Sequence, residues 1–202
     1  MAFIEVIDPD RATGPLAEIY RKVRGPGGQV DNVLQIHSLR PHSLEGHMAL
    51  YKSVLHHPRN TLPVWFLESV GVLVSRLNGC GYCARHHGAG LRRRLRGDEA
   101  RSRAYLEQLE GDPPAAPFTA AESAALRYVR KLTVSPDRVE RADVDRVRAA
   151  GLDDGQILEI NQVASYFAYV NRVVVGLGVT TDGEELGHSP ADSADPKDWS
   201  HG

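Results

Sequence analysis

The residues best equipped for chemistry are the two cysteines of Cys80-Gly81-Tyr82-Cys83, the only cysteines in the chain. Residues three apart share a helical face, so the sulfurs can meet and cycle between dithiol and disulfide without large backbone motion. A disulfide closing so short a loop would restrain the unfolded chain very little. In a reducing compartment such a pair points to catalysis or metal binding rather than to a structural bridge. If Cys80 opens a helix, unpaired backbone N–H groups and the positive end of the dipole favour its thiolate. His87 follows Cys83 by four residues on the same face, where an imidazole can accept a thiol proton directly or through water. His86, three residues after Cys83, is not excluded by spacing. Glu68 completes the set. A lone carboxylate in an apolar helix is unusual, because burying its charge unpaired is costly. An antiparallel return of the chain between Glu68 and Cys80 would set it beside the CxxC helix, where burial suits it to a proton relay with the histidine.

The same residues have other uses. Zinc could take Cys80, Cys83 and His86 or His87, but a closed structural site wants four ligands, usually with a second cysteine pair, and this chain has none. Inert packing cysteines would suit a fully apolar face, which Gly79, Gly81 and Tyr82 do not provide. Glu68 could instead form a structural ion pair with an arginine, and His86 taken alone reads as a solvated surface residue. Arg92, Arg93, Arg94 and Arg96 read as a solvated face or as a dock for an acidic carrier domain. His37, His42, His47, His56 and His57 show no ligand spacing. Gly25-Pro26-Gly27-Gly28 lacks the lysine and strand context of a phosphate loop.

The elements that must position these groups are helical almost throughout. Thr13 and Pro15 start a helix over Leu16–Val23. Shorter helical stretches lie around Val33–Ser38 and from Pro41 to about Leu55. Leu62–Leu77 is the most apolar stretch, with Glu68 and Arg76 as its only full charges, and Asn78-Gly79 reads as its stop. The next helix starts near Cys80 and runs to about Leu95, followed by Asp98–Leu109. Gly111, Asp112, Pro113, Pro114 and Pro117 form a linker. Thr119 with Glu122 reads as a capping box opening a helix to about Thr133. Val139–Ala149 is short and amphipathic. Asp153 with Gln156 opens the last long helix, over Ile157 to about Leu177. Val173-Val174-Val175 favours strand locally but continues a helical face. From Thr180 the chain turns polar, a tail expected to be disordered or laid on a neighbouring surface.

The 202 residues allow one well-buried domain. A net charge of -2 gives no global field for nucleic acid. No run approaches the length of a membrane span, and the acidic Met1–Asp10 segment lacks the pattern of a signal peptide. The expectation is a cytoplasmic protein with neither nucleic acid nor membrane as partner.

Glu68, eleven intervening residues, Cys80, two residues, Cys83, three residues and His87 resemble the signature of AhpD-like alkylhydroperoxidases in the carboxymuconolactone decarboxylase superfamily. Val74-Ser75, Asn78-Gly79-Cys80 and Tyr82-Cys83 are similar to its peroxidase-related subgroup. Lys131-Leu132-Thr133, Ala150-Gly151-Leu152 and Asn171-Arg172 are similar to that subgroup's second half. The likeness spans roughly residues 10 to 180. It implies an all-α, AhpD-like domain over residues 1–180, followed by the polar tail 181–202, and a homo-oligomer. It implies a thiol-dependent antioxidant peroxidase in which Cys83 attacks the hydroperoxide and becomes a sulfenic acid. Cys80 then condenses with it to a disulfide, while Glu68 and His87 relay the proton. No bound cofactor or metal is implied. An external dithiol, on a lipoyl-type or thioredoxin-like protein, would reset the pair. Some AhpD proteins carry His between the cysteines where this chain has Tyr82, which bears on the choice of reductant. A decarboxylating lyase of the same superfamily would need no cysteine pair; a non-enzymatic redox sensor is the third class. The homo-oligomer is also expected because the tail, with Trp199 as anchor, has too little apolar surface to order itself alone.

Overall fold

The computed structural model describes residues 2–111, 116–195 and 197–199, which leaves Asp112–Ala115 of the expected linker outside the described residues. Among the described residues there are nine α-helices and no β-strand: α1 (Gly14–Val23), α2 (Asn32–Gln35), α3 (Pro41–Leu55), α4 (Val64–Leu77), α5 (Gly81–Arg94), α6 (Glu99–Gln108), α7 (Ala120–Val134), α8 (Arg141–Ala149) and α9 (Asp154–Gly176). The all-α expectation holds. The Val173–Val175 run lies inside α9, where packing outweighs local strand preference. The expected capping box at Thr119 is formed, and the start expected at Asp153 proves to be a second one. Thr119 Oγ1 accepts from the Glu122 N–H at 3.2 Å while Glu122 accepts from the Thr119 N–H at 2.8 Å, and Asp153 with Gln156 does the same for α9. The second expected short helix is confined to α2, and no described helix is long and apolar enough to cross a membrane.

α4 is the central element. Every residue from Phe66 to Ser75 is buried, as expected of a helix packed on all sides, here by α5, α7 and α9. Its end is a tight corner. Gly79 adopts φ +70°, its N–H bonds to the Arg76 carbonyl at 3.0 Å, and the Cys80 N–H bonds to the Ser75 carbonyl at 2.8 Å. This double bond is the Schellman closure of a helix, which needs a left-handed residue and so favours glycine. Cys80 is thus the last residue of the α4 stop and also the N-cap of α5. The chain reverses within three residues, and α5 returns antiparallel along α4.

Close approach between α4 and α9 depends on a second glycine. A Cβ on Gly71 would overlap the ring of Phe167, which packs into that gap. Two apolar clusters result. The larger joins α4, α5, α7 and α9; the smaller gathers Leu16, Ile19, Tyr20, Val23, Val30, Leu34, Leu44 and Met48 around α1 and α3.

Trp199 belongs to that smaller cluster and is 5% exposed. The described part of the tail is therefore laid on its own chain. Lys52, 1% exposed, donates to Ser193 Oγ at 2.7 Å and to the Asp198 carbonyl. Asp192 accepts from Arg94 through both oxygens, at 2.6 and 2.9 Å, and meets His56 Nδ1 at 3.1 Å. Polar residues order this segment because buried groups of the helical body need these partners.

Replacing Gly71 by Ala should displace Phe167 and lower stability by about 1–3 kcal/mol, the usual cost of overpacking a core. Denaturant unfolding of the variant against the parent protein measures it.

Candidate functional site

Glu68 projects from the buried middle of α4 and is 1% exposed. Its Oε2 accepts from His87 Nδ1 at 2.6 Å, so its partner is the α5 histidine and not an arginine. Gly90, one turn below on α5, makes room for the carboxylate: a Cβ there would lie 3.0 Å from Glu68 Oε1. His87 is held from two further sides. Phe167 of α9 meets it edge-on at 4.5 Å between centroids, and Tyr51 of α3 at 6.1 Å. With Nδ1 committed to Glu68, the remaining nitrogen Nε2 is left as the proton acceptor.

The cysteines meet as the spacing predicts. Their sulfurs lie 3.1 Å apart as free thiols. Cys80, at the N-cap, accepts from the Cys83 N–H at 3.5 Å. Hydrogen bonding from the Cys83 thiol pulls Cys80 down to about 7. Burial opposes this, while the backbone N–H groups of Cys83 and Tyr82 and the amide of Asn171 assist. Cys83 is pushed up, because its proton is engaged by Cys80 and because burial and the neighbouring charge disfavour a second anion. The first anion of the pair is therefore favoured on Cys80.

Access falls on the other sulfur. A cavity of about 60 Å³ is bordered by Cys83, Glu68, His87, Tyr51, Tyr166 and Tyr82, among others, and Cys80 is not one of its walls. His87 and Cys83 share this cavity without a direct hydrogen bond, so a proton passing between them needs a small bridging molecule.

The structure gives several residues partners that local spacing does not show. Asn171, buried on α9, donates to Ser75 Oγ at 3.1 Å and accepts from Asn78 at 3.0 Å, which holds its amide beside the cysteines. An asparagine in the apolar second half of that helix is the available signal, since a buried amide must find partners. His86, expected to be solvated, is 8% exposed and bonds to Glu184 Oε2 at 3.0 Å. The Tyr82 hydroxyl donates to Glu184 Oε1 at 3.0 Å and accepts from the Val33 N–H at 3.2 Å. Glu184 lies in the tail, about a hundred residues away, beyond the reach of any spacing rule. Of the arginine run, Arg94 holds Asp192 and Arg93 meets His188, so this part of the face is occupied by the tail. Among the described residues, no group of three or more His, Cys, Asp or Glu side chains could hold a metal ion.

An alkylhydroperoxidase AhpD core from Ralstonia eutropha JMP134, an uncharacterized peroxidase-related protein, superposes with a TM-score of 0.76 at 21% identity, over 89% of this chain and 91% of that one. A peroxidase-related protein from Silicibacter sp. TM1040 gives 0.71 at 27% identity, over 83% and 87%. The fold is AhpD-like. The debrominase Bmp8 shares this AhpD-like fold at 18% identity with a TM-score of 0.66, over 83% and 86%. It has also been solved as a cysteine variant with 2,3,4-tribromopyrrole bound. No family profile and no curated protein sequence matches the chain.

The preference for an anion on Cys80 is testable. Replacing Cys83 by Ala removes the thiol that holds Cys80 down but leaves Cys80 buried. Thiolate absorbance against pH should then show a midpoint above the value of about 7 expected for the first titration of the intact pair. An unchanged midpoint would mean that the N-cap alone lowers Cys80.

Proposed function

We propose that the protein is a thiol-dependent peroxidase that reduces hydroperoxides through the Cys80–Cys83 pair. The observation that carries this reading is the single cavity bordered by Cys83 and by the Glu68–His87 pair, with Cys80 3.1 Å behind Cys83. A hydroperoxide in the cavity can bridge His87 Nε2 and the Cys83 sulfur. The Cys83 proton passes through the bound hydroperoxide to His87. The Cys83 thiolate then attacks the peroxide oxygen. An S–O bond forms, the O–O bond breaks, and the alkoxide leaves with the transferred proton as an alcohol. Cys83 is now a sulfenic acid, two electrons more oxidised. Cys80, the stronger acid of the pair, attacks the Cys83 sulfur as thiolate and expels hydroxide, which is protonated to water. The resulting disulfide is reduced by an external dithiol such as a lipoyl-type or thioredoxin-like protein.

The AhpD and peroxidase-related neighbours support this antioxidant reading. The debrominase supports enzyme chemistry on the same fold, but a cavity of about 60 Å³ favours a small oxidant over a brominated heteroaromatic ring.

Charge and access fall on different sulfurs, so the attacking residue needs its own test. In Cys80→Ser, peroxide should leave a sulfenic acid at Cys83 that a dimedone probe traps and mass spectrometry locates. Trapping only at Cys80, in Cys83→Ser, would reverse the assignment.

Glu68→Gln and His87→Ala should each slow peroxide-driven disulfide formation by about 10²–10⁴-fold, as for a lost general base. The double variant should be little worse than either single one, because groups acting as a unit are not additive. Multiplicative losses in stopped-flow oxidation would separate the two residues into independent roles.

A further inference from the structure

The tail forms one wall of the Cys83 cavity, contributed by Gly187, His188 and Pro190. The segment is pinned on both sides of the opening. On one side Glu184, its side chain 3% exposed, bonds to Tyr82 and His86 of α5 and accepts from the Asn32 N–H of α2. On the other, Asp192 takes both guanidinium nitrogens of Arg94, at the end of α5, together with His56. Between the pins the backbone lies flush on α5: a Cβ on Gly187 would sit 2.8 Å from the Ala89 carbonyl carbon and 2.9 Å from the Gly90 N. Gly90 in turn faces the Glu68 carboxylate. Tail, helix and relay carboxylate are stacked in direct contact through two glycines.

We propose that residues 184–190 are the specificity-determining wall of the peroxidase site, restricting Cys83 to hydrogen peroxide and short-chain hydroperoxides. This rests on the peroxidase reading above. With the segment seated, the cavity measures about 60 Å³. An apolar cavity that takes up benzene is roughly 150 Å³. An aryl hydroperoxide, a ring with a further side chain, requires the segment to lift, which breaks the Glu184 bonds to Tyr82 and His86 and exposes their buried partners. Small oxidants enter with the bonds intact.

The test uses the full-length reduced protein with two pairs of reagents. Thiol loss is followed with hydrogen peroxide and with cumene hydroperoxide. Separately, alkylation is followed with iodoacetamide and with a bulky maleimide. The parent protein should favour the small member of each pair by at least about tenfold, the low end of what a shape misfit provides. Gly187→Ala, which forces the segment off α5, should reduce both ratios several-fold. Asp192→Asn, which loosens one pin from outside the cavity, should do the same and covers the case in which Gly187→Ala fails to fold. A parent protein that does not discriminate by size, or ratios unchanged in both variants, overturns the proposal. If neither peroxide oxidises the pair while alkylation still shows the size selection and its loss, the wall stands and the peroxidase reading falls.

Discussion

A carboxylate buried in the middle of an apolar helix is the constraint around which this molecule is arranged. Glu68 at 1% exposure needs a charge-assisted partner within hydrogen-bond reach. His87 supplies it at 2.6 Å, and only an antiparallel α5 with the right register can do so. The register is set at the Gly79 corner, where the α4 stop and the α5 start share Cys80. The same corner therefore fixes both the thiol pair and its distance from the relay. Gly90 and Gly71 are the clearances this arrangement needs, one for the carboxylate and one for the Phe167 ring that buttresses the imidazole. Removing either carboxylate or imidazole would leave the other buried without its counterpart, a larger cost than the net worth of the pair.

The thiol pair divides two tasks. Cys80 sits where backbone N–H groups, the Asn171 amide and the Cys83 thiol all favour its anion. Cys83 keeps its proton and borders the cavity. The proton of the attacking sulfur has its acceptor in His87 across the cavity. An anion favoured on Cys80 also suits it as the nucleophile that the second, disulfide-forming step needs.

The tail shows how a polar segment can be ordered without a hydrophobic core of its own. Its residues answer needs of the helical body: Lys52, His56 and Arg94 each receive an oxygen from it. Trp199 adds the one large apolar contribution, in the cluster around α1 and α3. Because Glu184 reaches Tyr82 and His86, this ordering is coupled directly to the helix that carries the cysteines.

The amino-acid sequence determined the helices and the chemical core of the site. Capping boxes at Thr119 and Asp153, the Asn78-Gly79 stop and the apolar run around Glu68 are local signals, written within a turn or two of chain. The Cys80, Cys83 and His87 spacing is local as well, and Glu68 was conspicuous because an unpaired charge does not belong on such a helix. Tertiary structure decided what local spacing cannot express. It chose His87 rather than an arginine for Glu68, buried His86 that had read as solvated, and placed the charge of the thiol pair on one sulfur and the access on the other. It also brought Asn171 and Glu184 to the site across about a hundred residues. Composition marked the tail as polar and so as weakly ordered, because composition counts apolar surface. The buried lysine and histidine and the half-buried arginine that hold the tail become partners only once the helices have packed.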